Sequence, residues 1–152
     1  MNTKPWREFW DDGSLRVGRS CWPNGNMENE THFIKNSKYY KDFHREDGPA
    51  FTRWWKNGNL HTEDYYVDGV CHRTDGAAMN RYYESGKIRI QEYVVDGKTH
   101  REAGPAIIWW NENGEIDNQV FYLNNREVTA YEAMGDTPEY MFYVLQNAHK
   151  EK

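Results

Sequence analysis

Bulky apolar residues in this chain come in short runs, each closed by a turn dipeptide. Ala50–Lys56 is one such run and ends at Asn57-Gly58; Leu60–Val67 follows and ends at Asp68-Gly69. Asn-Gly and Asp-Gly readily take the positive φ that tight hairpins need, so each run reads as a strand and each dipeptide as its turn. A link carrying His-Arg and Asp-Gly-Pro then returns the chain to the next strand, with Pro fixing φ. Strand and turn alternate at roughly 14-residue spacing, the pattern of an antiparallel meander. Within Leu60–Val67, Leu60 and Tyr66 share one parity while Tyr65 and Val67 share the other, so both faces carry large apolar groups. Either both faces are covered, or one aromatic face is left for a partner. Near the end the period changes. Thr129-Ala130-Tyr131-Glu132 fits a capping box, Gly135 suits a helix C-terminus, and Thr137-Pro138 opens a second helix. Tyr140, Met141, Val144, Leu145 and Ala148 are expected to turn one apolar face of that helix onto a sheet edge.

The meander repeats itself. His44-Arg45, His72-Arg73 and His100-Arg101 lie 28 residues apart, and the register holds through the rest of the unit. Gly48, Gly76 and Gly104 form one column; Ala50, Ala78 and Ala106 form another; Trp54, Tyr82 and Trp110 a third. Asp68-Gly69 and Asp96-Gly97 align with Asn124-Asn125. Trp10-Asp11-Asp12-Gly13 and Trp22-Pro23-Asn24-Gly25 echo Trp55-Lys56-Asn57-Gly58 at irregular spacing, as expected of atypical terminal units. The chain therefore reads as one mainly β domain over 1–152. Residues 1–37 form divergent N-terminal β units, 38–128 three regular 28-residue two-strand repeats, and 129–152 a C-terminal helical cap.

His44-Arg45-Glu46-Asp47-Gly48-Pro49-Ala50 and His100-Arg101-Glu102-Ala103-Gly104-Pro105-Ala106 resemble the H-R-x-D-G-P-A repeats of uncharacterised bacteriophage and giant-virus proteins. The wider pattern is similar to MORN-type and YwqK-type antitoxin repeats. That resemblance implies a single-layer β-meander and a viral or mobile-element setting, and it carries over no catalytic residue.

Composition narrows the function. Aliphatic residues are sparse, but 7 Trp, 11 Tyr and 6 Phe supply the buried area a fold needs. A net charge of −5 is too small for a disordered chain, and acidic and basic residues are interspersed, so no basic block marks a nucleic-acid protein. The longest apolar runs, Ala106–Trp110 and Tyr140–Leu145, are far short of the roughly 20 residues that cross a bilayer. Residues 1–8 contain no apolar h-region, and two cysteines make no disulfide framework; the expectation is a cytoplasmic protein, in the host cytoplasm if viral.

The His column is the first place to look for chemistry. Equivalent histidines two strands apart would sit roughly 9–10 Å from one another, too far to share a zinc at 2.0–2.1 Å. His44, Arg45, Gly48, His72, Arg73, Gly76, His100, Arg101 and Gly104 are therefore read as structural residues of each repeat. Cys71 precedes His72, but neighbours on a strand point apart, so a Cys–His nucleophile is not expected. No catalytic residue, metal or cofactor is assigned. Arg53, Trp55, Arg81, Tyr83 and Trp109 should share one face of equivalent strands, and these residue types dominate interface hot spots. The expected function is a non-catalytic protein-binding module, an inhibitor or antitoxin-like regulator of a host protein. Homo-oligomers through the sheet edges remain open. The alternative is a carbohydrate-binding aromatic repeat protein.

Overall fold

The computed structural model describes residues 6–36 and 42–148. The start of the regular repeats, 38–41, and the last four residues lie outside the described residues. The protein is mainly β. Fourteen strands are described: β1 (Trp6–Phe9), β2 (Leu15–Cys21), β3 (Met27–His32), β4 (Phe51–Trp54), β5 (Leu60–Asp64), β6 (Tyr66–Val67), β7 (Val70–Cys71), β8 (Met79–Tyr82), β9 (Ile88–Glu92), β10 (Val94–Val95), β11 (Lys98–Thr99), β12 (Ile107–Trp110), β13 (Ile116–Leu123) and β14 (Arg126–Val128). Two helices follow, α1 (Ala130–Met134) and α2 (Pro138–Asn147). Ten strands form one antiparallel sheet in the order β1-β2-β3-β4-β5-β8-β9-β12-β13-β14; β6–β7 and β10–β11 are separate two-stranded hairpins.

The first two 28-residue units thus each contain a long hairpin in the sheet and a short one beside it, whereas in the third β13 runs unbroken and pairs with both β12 and β14. The run Leu60–Val67, expected as one strand, divides at Tyr65 into β5 and β6. The reason lies in the backbone bonds. Tyr65 N–H donates to the Ala78 carbonyl, and its own carbonyl accepts from His72 N–H. Tyr65 is therefore shared between the sheet and the returning chain, and Tyr93 repeats the arrangement with Ala106 and His100. The short turns have two successive positive-φ residues: Asp68 (49°) with Gly69 (77°), Asp96 (50°) with Gly97 (72°), and Asn124 (53°) with Asn125 (64°). That is the type I′ hairpin signature, and asparagine tolerates it where the third unit lacks glycine. The short hairpins are bonded in series: Gly69, Gly97 and Asn125 N–H groups donate to the Phe43, Cys71 and Thr99 carbonyls.

The N-terminal region follows the same plan. His32 carries the bonds that Tyr65 carries, donating to Ala50 and accepting from His44 N–H, and Phe33 bridges Phe43 across a longer loop.

The sheet has little core. Among the described residues no large side chain is fully buried. Surface area is 9870 Å², against roughly 8,100 Å² for a compact chain of this mass. Ala50, Ala78 and Ala106, at 0% exposure, mark where the chain re-enters the sheet. Among the described residues the clustered core is C-terminal, where Phe121, Val128, Ala133 and Met134 pack together and Tyr140 and Tyr143 pack against them. The Thr129–Glu132 capping box, Gly135 and the Thr137–Pro138 start form as their residues dictate. The packed face of α2, however, is Tyr140 and Tyr143. Met141, Val144 and Leu145, expected against the sheet, are 60, 42 and 68% exposed.

Candidate functional site

Three repeated surfaces arise from this geometry. The first is a row across the sheet. Direct cross-strand partners run Asn29, Arg53, Thr62, Arg81, Ile90, Trp109, Asn118, so these side chains share one face. Arg53, Arg81 and Trp109 are therefore brought together as expected. Arg53 is exposed and forms no ion pair with a described residue. Arg81 is engaged: its guanidinium pairs with Asp64, which is 8% exposed. Burial pushes the Asp64 carboxyl up, against the opposing pull of Arg81.

Trp55 and Tyr83 sit where the strands turn, past a register shift between Arg53 and Trp54 and its repeat between Arg81 and Tyr82. The Trp55 ring lies 4.2 Å from that of His61, tilted by 58°, and Arg89 lies 5.5 Å from the Tyr83 ring. His61 and Arg89 are the bulged residues of β5 and β9, one period apart, and were not singled out from sequence. Their column reads His, Arg, Asp117, so no shared residue type marks it; the 28-residue period alone was the signal.

The second surface is the end of the sheet formed by the long turns. Trp22 and Trp55 Nε1–H donate to the carbonyls of Trp54 and Tyr82, each at 3.2 Å, and Tyr83 O–H donates to Trp110 O at 2.8 Å. Asn24 and Asn26 both donate to Lys56 O; Asn57 and Asn59 both donate to Glu84 O. Each turn thus holds the carbonyls of the next. Trp55 and Tyr83, expected on the Arg53 face, belong to this ladder and have no place in the row of cross-strand pairs.

The third is a file of clefts between successive His-Arg loops. His44, His72 and His100 accept, at Nδ1, the N–H of Asp68, Asp96 and Asn124 at 3.0–3.2 Å. Arg73 and Arg101 lie over Tyr65 and Tyr93 at 4.0 and 3.8 Å. A Cβ on Gly76 would come within 3.0 Å of Arg73 Cζ, which accounts for the glycine column. Arg45, Tyr65, His72 and Arg73 line a cleft of about 560 Å³; Arg73, Tyr93, His100 and Arg101 line its repeat of about 540 Å³. A third lies between Trp10 and Arg45. Below it, Glu30 is hydrogen-bonded to His32 at 2.7 Å and paired with Arg19. The His32 bond, reinforced by Arg19 against the cost of burial, holds the Glu30 carboxyl at about 2.

Burial, with Asp64 and Glu92 nearby, pushes the Cys71 thiol up to about 12, while His72 Nδ1 is turned to the Asp96 amide. Among the described residues, no group of three or more His, Cys, Asp or Glu is placed to hold a metal ion, and no helix is long and apolar enough to cross a membrane. Compared with known proteins, the chain matches no family model, no curated protein and no solved structure.

Proposed function

We propose that the chain is a non-catalytic protein-binding module, and that its contact surface is the row of Arg53, Arg81 and Trp109 with Trp55 and Tyr83 beside it. One observation carries this reading: the sheet register sets Arg53, Thr62, Arg81, Ile90 and Trp109 as successive neighbours on one face, where Arg53 is exposed, Arg81, Ile90 and Trp109 are half-buried and Thr62 is buried between them. A broad row on backbone-paired strands suits a flat partner better than a small ligand, and Arg, Trp and Tyr are the residues that concentrate binding energy. The proposal extends to an inhibitor or antitoxin-like regulator acting on a host protein in the cytoplasm, in a phage or mobile-element setting. The carbohydrate reading is less well supported, because guanidinium groups already cover the Tyr65 and Tyr93 rings in the clefts.

Arg53→Glu tests it cleanly, since the Arg53 side chain is exposed and makes no hydrogen bond or ion pair with a described residue. The immobilised chain should retain a discrete protein from bacterial lysate. Arg53→Glu should weaken that binding by about tenfold or more, as charge reversal inside a contact does, with the melting temperature unchanged. Binding on a glycan array with no protein retained, or equal retention by Arg53→Glu, would reject the proposal.

A further inference from the structure

The three His-Arg loops differ in whether a carboxylate follows two residues after the arginine. Arg45 Nε donates to Asp47 Oδ1, and Arg73 Nε donates to Asp75 Oδ1, each at 2.7 Å. In the third loop Ala103 stands where those aspartates stand. Between the second and third loops the surroundings of the arginine are otherwise kept. Arg101 Nη1 donates to the Pro105 carbonyl at 3.1 Å, as Arg73 Nη1 donates to Ala77 at 3.3 Å. The guanidinium lies over Tyr93 as that of Arg73 lies over Tyr65. Gly104 lets the backbone approach it, with Arg101 Cζ 3.3 Å from where a Cβ would be. Among the described residues no acid forms an ion pair with Arg101. Glu102 is directed to His100 Nε2 at 3.8 Å, and Asp75 is held by Arg73. Arg101 and Ala103 both line the 540 Å³ cleft.

We propose that Arg101 is a binding site for an aspartate or glutamate carboxylate of an acidic peptide segment, received where Asp47 and Asp75 sit in the sibling loops. Those loops show the bond the site is built to make: a carboxylate oxygen on Nε, at the short distance of a charge-assisted hydrogen bond. Tyr93 and the Pro105 carbonyl hold the guanidinium plane before any ligand arrives, so little side-chain entropy is lost on binding. The position is on the loop side of the sheet, separate from the Arg53 row, and it stands or falls independently of the function proposed above.

The test uses the arginine Nε–Hε resonances of the full-length, ¹⁵N-labelled chain. The probes are N-acetyl-aspartate α-amide, its asparagine counterpart and inorganic phosphate, at matched ionic strength. The aspartate probe should shift the Arg101 resonance saturably and leave Arg45 and Arg73 nearly in place; the asparagine probe should not. Ala103→Asp should move the Arg101 resonance toward those of Arg45 and Arg73 and abolish its response. In the reverse experiment, Asp75→Ala should confer the response on Arg73. An equal response from all three arginines, a response that survives in Ala103→Asp, or none at Arg73 in Asp75→Ala would overturn the site. Phosphate binding as tightly as the aspartate probe would overturn the carboxylate assignment.

Discussion

At the scale of single residues, two ionisable groups give opposite and measurable signatures. Glu30 titrates at about 2 in the folded chain instead of its ordinary 4.5. A depressed carboxyl contributes stability that is complete above the unfolded value and is lost as pH falls toward the folded one. Chemical denaturation should therefore show stability falling from about pH 4.5 to pH 2, and Glu30→Gln should flatten that fall while lowering stability at neutral pH. Cys71 is the reverse case. With its thiol at about 12, hardly any thiolate exists near neutral pH, and the thiolate is the reactive form. A maleimide reagent at pH 7 should label Cys71 in the native protein at least about 100-fold more slowly than after unfolding; labelling at the unfolded rate would show the site to be open. The repeat columns themselves were legible in the residues, because His-Arg and Gly recur at a fixed spacing. Glu30 and the Arg81–Asp64 pair were not, since they depend on which strands meet and in what register.

Elements obey the local code where turns and caps decide, and depart from it where packing decides. The long and short turns and both helix starts follow directly from Asn-Gly, Asp-Gly, Thr-x-x-Glu and Thr-Pro. The break at Tyr65 does not, because Tyr65 and Tyr66 continue the apolar run without a turn residue; only the hydrogen bonds to Ala78 and His72 divide it. In α2, apolar residues occur on both sides, so pattern alone could not choose between the Tyr140–Tyr143 face and the Met141–Leu145 face. Phe121 chooses, with Tyr143 set edge-on against it at 5.3 Å. Two substitutions test this choice by thermal melts. Leu145→Ser, at an exposed position, should change stability by less than about 0.5 kcal/mol. Tyr143→Ala should cost about 3 kcal/mol, near the lower end of the range for aromatic truncations in a packed cluster. Likewise Ala78→Val, at a fully buried position where the chain re-enters the sheet, should cost about 1–3 kcal/mol by overpacking.

For the whole molecule, the buried side chains along the sheet are few and mostly small among the described residues, which makes the unit-to-unit contacts the source of stability. Long turns, short hairpins and sheet strands each bond to their neighbours, so the chain should tolerate loss of a whole unit and not of half a unit. Deleting residues 44–71 joins Phe43 to His72 and brings β8 against β3. Trp22 then meets the Tyr82 carbonyl in place of that of Trp54, and Asn24 and Asn26 meet Glu84 in place of Lys56, which are the bonds Trp55, Asn57 and Asn59 make in the intact chain. Arg73, carrying its own Asp75, takes the place of Arg45 beside Glu30 and His32. Asp64 leaves together with its unit, so no buried carboxylate is stranded. The shortened chain should unfold in one cooperative transition, with a denaturant m-value lower by roughly a fifth, in proportion to the surface removed. Deleting residues 58–71, half the period, joins Asn57 to His72 and leaves β4 without its hairpin partner. That variant should show no cooperative transition. If both deletions fold equally well, or neither folds, neighbour-by-neighbour stabilisation is refuted, and the C-terminal cluster around Phe121 would have to organise the sheet from one end.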